Sequence, residues 1–276
     1  MLIGAHESVA GGVSKAFARA EEHGGSALQI FTKTARGWNA PALTDAVRKL
    51  WRTEARRTGL RAMAHGSYLT NLGSEDPIIR PKSLACLEDE HVRAERLGLS
   101  YLVIHPGCHA DVGTGVRLIA DAINELHRKT PRFRTQVCLE GTAGQGTSIG
   151  WRFEHLAAIF DRLEKPQRVG VCLDTCHLFA AGYDVATPKG YRRTFDEFED
   201  LVGLDRLRCF HLNDCKKELG CRVDRHEEVG KGRIGLGCFK RLVNDERFRD
   251  VPGVLETPFA ERYGETIRLL KRMERL

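Results

Sequence analysis

The chain has 276 residues, 42% hydrophobic and 29% charged, an ordinary balance for a soluble globular protein long enough to form a complete α/β barrel. No stretch approaches the roughly 18 uninterrupted apolar residues of a membrane helix, and the opening Met1-Leu2-Ile3-Gly4-Ala5-His6-Glu7 lacks the basic end and apolar run of a secretion signal. The formal net charge of +6 permits a polyanionic partner without requiring one, and an odd nine cysteines with no C-x-x-C pair point to a reducing cytoplasm, not a disulfide scaffold.

The pattern along the chain alternates. Leu2 to His6 reads as a strand, followed by a helix from Val13 to His23 that Gly24-Gly25 stops. Ala27 to Phe31 is the second strand, and the loop Thr32 to Pro41 leads into a helix from Asp45 to Thr58, closed by Gly59. Arg61 to His65 is the third strand. Lys82 to Leu97 follows as a helix with Leu84, Leu87 and Val92 inward, and Gly98 ends it before the strand Leu99 to His105.

The second half repeats the scheme. Val116, Ile119, Ile123 and Leu126 form an amphipathic stripe, as do Leu156, Ile159, Phe160 and Leu163. Phe195, Phe198, Leu201 and Val202 precede the seventh strand; Phe239, Leu242 and Val243 precede the eighth; Ile267, Leu269 and Leu270 close the chain. Eight strand–helix units predict one closed (β/α)8 TIM barrel over residues 1–276, with its chemistry at the carboxyl ends of the strands. An open doubly wound sheet is the competing architecture, but it would gather ligands at one switch point.

The strand ends carry the functional signal. Six apolar runs finish on His65, His105, Glu140, Asp174, His211 and Glu256, spaced 34 to 45 residues apart. Ionisable groups are costly to bury, so their repetition at strand ends suggests one polar site built by many strands. His177 lies three residues after Asp174, where a tight turn lets both reach one ion. Asp224 and His226 alternate in an extended segment and can share a side. Nine imidazoles and carboxylates exceed the roughly four ligands one ion takes, and the N/O donor set without thiolate suits zinc ahead of manganese or iron. Singly, each has an ordinary explanation: a lone His is usually hydrogen-bonded structure, a lone Asp usually a helix cap. That explanation is kept for His23, His91, His109, His127 and His155. His6 is left undecided, and Cys172 and Cys176 are read as packing residues.

The loops give weaker signals. Gly141 to Gly146 and Gly230 to Gly235 match neither a Walker loop nor a dinucleotide fingerprint; chain reversal explains both, although Lys231, Arg233 and exposed amides near a metal could bind phosphate. Arg36 beside Trp38, and Tyr68 beside Leu69, suit insertion into a DNA groove, yet on their own ordinary loop packing is the commoner explanation.

Together these residues resemble the endonuclease IV family of apurinic/apyrimidinic (AP) endonucleases over nearly the whole chain. The carrying segments are Ile3-Gly4-Ala5-His6, Phe31-Thr32-Lys33, Ala64-His65-Gly66-Ser67-Tyr68, Ile104-His105-Pro106-Gly107, Leu139-Glu140 with Thr142-Ala143-Gly144-Gln145-Gly146, Leu173-Asp174-Thr175-Cys176-His177, His211-Leu212-Asn213-Asp214, Val223-Asp224-Arg225-His226 and Leu255-Glu256-Thr257-Pro258. Gly141, where the family usually has Asn, and Glu7, where an apolar residue is common, depart from its pattern.

The resemblance implies three Zn2+ per chain, with Mn2+ or Fe2+ admissible at one site. The first takes His65, His105 and Glu140; the second takes Glu140, Asp174, His211 and Glu256; the third takes His177, Asp224 and His226. This separates Asp174 from His177, which spacing alone would place on one ion. Glu140 becomes the catalytic bridge, and Arg36, Tyr68 and Leu69 become DNA-contacting residues. The implied activity belongs to base excision repair: hydrolysis of the phosphodiester 5′ to an abasic site in double-stranded DNA, leaving a 3′-hydroxyl and a 5′-deoxyribose phosphate. A cytoplasmic monomer without membrane contact is expected. A sugar isomerase or epimerase on the same barrel, or a non-catalytic DNA-binding protein, are the rival readings; neither needs nine ligands.

Overall fold

The computed structural model describes residues 1–274. Its first half runs β1 (Leu2–His6), α1 (Lys15–His23), β2 (Ala27–Phe31), α2 (Asp45–Thr58), β3 (Arg61–His65), α3 (Ile79–Leu97), β4 (Tyr101–Ile104) and α4 (Val112–Lys129). Then come β5 (Gln136–Gly141), α5 (Phe153–Phe160), β6 (Val169–Asp174), α6 (Thr175–Ala181), α7 (Pro188–Leu201) and β7 (Leu207–His211). Two short strands, β8 (Asp214–Cys215) and β9 (His226–Glu227), precede α8 (Leu236–Val243), β10 (Pro252–Leu255) and α9 (Tyr263–Met273). Eight strands close a parallel barrel in the order β1-β10-β7-β6-β5-β4-β3-β2, while β8 and β9 pair antiparallel outside it. The predicted (β/α)8 barrel is the observed fold. Among the described residues, no helix is long and apolar enough to cross a membrane.

The predicted punctuation works as the physics requires. Gly24, Gly59 and Gly98 end their helices in the left-handed region, which costs a side chain steric energy but glycine little. One expectation fails in detail. Leu201, at the end of α7, is 39% exposed. On α3, Leu84 and Val92 are only half-buried, and the inner face instead includes the polar Glu90, His91 and Arg93.

Inside the barrel, Ala27, Met63, Val103, Cys138, Cys172, Cys209 and Val254 form a dry plug. Strand side chains alternate, so the next inward residue on each strand lies two positions on. Those positions are Gln29, His65, His105, Glu140, Asp174, His211 and Glu256. The plug is the floor of the site, and one step of the strand period lifts the chain from sulfur and hydrocarbon to carboxylate and imidazole.

Away from the site, His127 on α4 is buried with neither ring nitrogen hydrogen-bonded. Burial and the nearby Arg168, His91 and Lys165 charges push its pKa down to about 3. Unfolding restores a value near 6.5, so the unfolded chain binds the extra proton between those limits and stability falls with acid across that window. From about pH 7 to about pH 5.5 the loss is about 1 kcal/mol. Chemical denaturation of a His127→Leu variant should show a correspondingly flatter acid limb; an unchanged slope would remove His127 from the acid response.

Candidate metal centre

Ligand atoms at the barrel mouth fall into close groups: His65, His105 and Glu140; Glu140, Asp174, His211 and Glu256; Asp174, His177 and His226; and Cys176, Asp224 and His226, each within 4.8 Å. Glu140 is fully buried and faces two ways. Its Oε2 lies 3.0 Å from His65 Nε2 and 3.2 Å from His105 Nε2, while Oε1 lies 2.9 Å from His211 Nδ1. Asp174 serves two purposes on two oxygens. Oδ1 caps α6 by accepting from the His177 amide at 3.0 Å, and Oδ2 accepts from Asn213 Nδ2 at 2.7 Å while facing His226 Nε2 at 3.6 Å. The capping role is therefore compatible with a ligand role, since the two fall on different oxygens. The third group is tied by Asp224, whose oxygens lie 3.2 Å from His177 Nε2 and 3.2 Å from His226 Nε2. Asp174 thus stays beside His177 as well as His211, closer to the expectation from spacing than a strict separation.

Backbone carbonyls fix most of the ring orientations. A carbonyl only accepts, so the nitrogen beside it keeps its proton and the other is the one free to exchange a proton for a metal. His65 Nδ1 lies 2.7 Å from the Gly66 carbonyl, His177 Nδ1 2.9 Å from that of Gly141, and His226 Nδ1 3.1 Å from that of Glu256. In all three, Nε2 is turned into the site. Gly141 fills its role through its backbone, so lacking an Asn side chain leaves this hydrogen bond intact.

The electrostatics are those of a cation site. Burial disfavours charge on His211 and His177, yet the surrounding carboxylates outweigh it and hold both well above the usual imidazole value. For His65 the balance is the same, and His226 is pushed up to about 9 by Asp174 and Asp224. Glu140, Glu256 and Asp224 are all lowered; burial opposes this, and the imidazole charges and hydrogen bonds overcome it. The carboxylates thus favour positive charge at this mouth, which either ring protons or a metal ion can supply.

Three residues stand differently from expectation. His6 joins the site's outer layer, with Nδ1 3.2 Å from Glu256 Oε1. Cys176 is buried as a packing residue, but its thiol also reaches Asp224 and His226 and hydrogen-bonds Cys215. Gln29 was missed by sequence reasoning: fully buried, it touches Glu256, His211 and His6. The Gly230 to Gly235 loop does not offer its amides outward. Gly230, Ile234 and Gly235 donate to the Asp214 carboxylate at 2.9, 2.9 and 3.1 Å, so the suggested phosphate cradle is already filled by a side chain.

The two loops proposed for DNA stand together at the rim. Tyr68 is 51% exposed, with its ring 5.4 Å from that of His65 and 5.9 Å from that of His105. Arg36 is exposed and Leu69 half-buried. Ser67 Oγ and the Tyr68 amide both donate to the Ala35 carbonyl, at 2.8 and 3.0 Å, joining one loop to the other. Helix α3 anchors both: Glu90 accepts from the Ser67 amide at 2.9 Å, and Asp89 pairs with buried Lys33 at 3.1 Å. This is the work of the polar inner face of α3. A cavity of about 320 Å³ opens beside them, lined by His105, His177, Asp224, Gln145 and Arg225 among others.

A closed parallel barrel with imidazoles and carboxylates on its strand ends is a xylose isomerase-like TIM barrel, and the model of that family matches residues 17–273. Within this class the chain is 48% identical to the probable endonuclease 4 of Chloroflexus aurantiacus, across 95% of this chain and 93% of that protein. It is 47% identical to the probable endonuclease 4 of Geobacter sulfurreducens, across 99% and 94%. The crystal structure of endonuclease IV from Thermus thermophilus superimposes with a TM-score of 0.90 at 37% identity, covering 99% of this chain and 98% of that one. The chain belongs to the endonuclease IV family. A D-tagatose 3-epimerase-like protein also superimposes, with a TM-score of 0.77 at 17% identity, a likeness of fold alone.

Proposed function

We propose that this protein is a zinc-dependent AP endonuclease that hydrolyses the phosphodiester 5′ to abasic sites in double-stranded DNA, leaving a 3′-hydroxyl and a 5′-deoxyribose phosphate, and that it acts as a cytoplasmic monomer in base excision repair. Membership of the endonuclease IV family supports the nuclease role. The observation that carries the multi-metal reading is Glu140, whose two oxygens face separate imidazole sets.

The residues fit zinc. His177 Nε2 and His226 Nε2 are buried and each lies 3.2 Å from an Asp224 oxygen, so a cation between them would replace a ring proton and pair with the carboxylate. His65, His105 and Glu140 would hold one ion, Glu140, Asp174, His211 and Glu256 a second, and His177, Asp224 and His226 a third. Bound zinc supplies Lewis acidity, making water acidic near pH ~7 and offsetting negative charge on phosphate oxygens.

The protein's own groups do the rest. Glu140 holds the first two sets in register and orients the attacking water. The plug beneath keeps bulk water from the floor of the site. Tyr68 and Leu69, braced against the Arg36 loop, enter the groove and occupy the space of the missing base. An abasic nucleotide has no stacked base to lose, so its extrusion costs less than that of an intact one. The epimerase reading accounts for one or two metals but leaves the Asp224 and His226 pair without a purpose.

A nicking assay tests the proposal. A duplex with a single abasic site should be cut once, on its 5′ side, and more slowly as salt rises because phosphate contacts release counterions. An intact strand after incubation with the fully metallated protein would refute the enzyme reading.

A further inference from the structure

We infer that Gln29 sets the tautomer of His211 and the position of Glu256, and so tunes the affinity of the second zinc set. The inference rests on the metal reading above. A carboxylate only accepts hydrogen bonds, so the atom 2.6 Å from Glu256 Oε1 must be the Gln29 amide nitrogen, and its oxygen then lies 3.0 Å from His211 Nε2. That oxygen also only accepts, so His211 carries its proton on Nε2. Its Nδ1 is then the nitrogen that can give up its proton to a cation, and it is aimed at Glu140 Oε1 at 2.9 Å, Glu256 Oε2 at 3.3 Å and Asp174 Oδ2 at 3.7 Å. The second amide proton reaches His6 Nδ1 at 3.0 Å. Every polar atom of this fully buried side chain is thereby satisfied.

His211 is turned the opposite way from His65, His177 and His226, which present Nε2 to the site. Those three are oriented by backbone carbonyls, which survive any substitution of the residue that owns them. His211 is oriented by a side chain. Ligand orientation in the second set is therefore encoded in one replaceable residue, placed there because Gln29 follows Ala27 of the plug by one strand period. Gln29 is a positioning residue: it acts through His211 and Glu256.

The test is Gln29→Leu, close in size but without hydrogen-bonding groups. Metal-free protein is titrated with Zn2+ against a competing chelator, and the imidazole nitrogens are followed by 15N NMR. Wild type should bind three ions and show His211 protonated on Nε2. The variant should bind one of the three about 10- to 100-fold more weakly, the range typical for loss of an outer partner, and its His211 should lose the fixed tautomer. Gln29→Asn, which keeps an amide, should lose less, giving a reading even if the leucine variant folds poorly. Three unchanged affinities with an unchanged His211 tautomer would overturn this inference while leaving the metal centre standing. Wild-type protein that binds no zinc would overturn both.

Discussion

Glu140→Gln is expected to reduce cleavage of abasic DNA by at least about 10³-fold, roughly 4 kcal/mol of transition-state stabilisation, while binding to the same duplex changes little. The substitution is nearly isosteric, but an amide nitrogen cannot serve as a ligand. Whichever way the new side chain turns, either His65 and His105 or His211 lose the oxygen they now share. DNA contacts are assigned to rim loops built from other residues, so affinity and turnover should separate. Single-turnover kinetics with a parallel binding titration measures both; a variant retaining even a tenth of wild-type cleavage would refute the bridging role.

Removing the metal should reverse how the protein responds to alkali. Without a metal, Asp174 and Asp224 push the folded-state pKa of His226 up to about 9 against its burial, compared with near 6.5 when unfolded. A raised folded pKa contributes stability that is fully present below about pH 6.5 and disappears as pH climbs toward about 9. For His226 alone this is about 3 kcal/mol, and His177 and His211 act in the same direction. Zinc bound there would take the place of those protons, and its binding would strengthen as they leave. Thermal melts at about pH 6 and about pH 9 should therefore show the metal-free protein losing several degrees while the zinc-loaded protein does not. Parallel shifts for the two forms would mean that the imidazoles do not exchange protons for metal.

Much of this site was visible in the sequence because barrel geometry converts strand period into position. His65, Glu140, Asp174 and His211 are the last polar residues of apolar runs, and the barrel brings those ends to one mouth whatever the helices do. Gln29 lay in the same register, two residues after Ala27, but its run continues to Phe31 and so showed no polar terminus. Counting from the plug would have found it. The polar inner face of α3 was hidden for a different reason: Glu90 and Arg93 have the composition of a solvated helix surface, and only tertiary packing turns them toward the loops. The environment of Cys176 was equally illegible, since its proximity to Asp224 depends on the long excursion between β7 and α8. The glycine loop around Asp214 misled because exposed amides and inward-turned amides have the same sequence.

Metal stoichiometry decides whether the nine side chains form one centre. Elemental analysis of protein purified without chelator, compared with protein carrying Glu140→Gln, should give three zinc ions per wild-type chain and fewer in the variant. One ion per chain, or none retained after gel filtration, would contradict a centre shared by nine ligands.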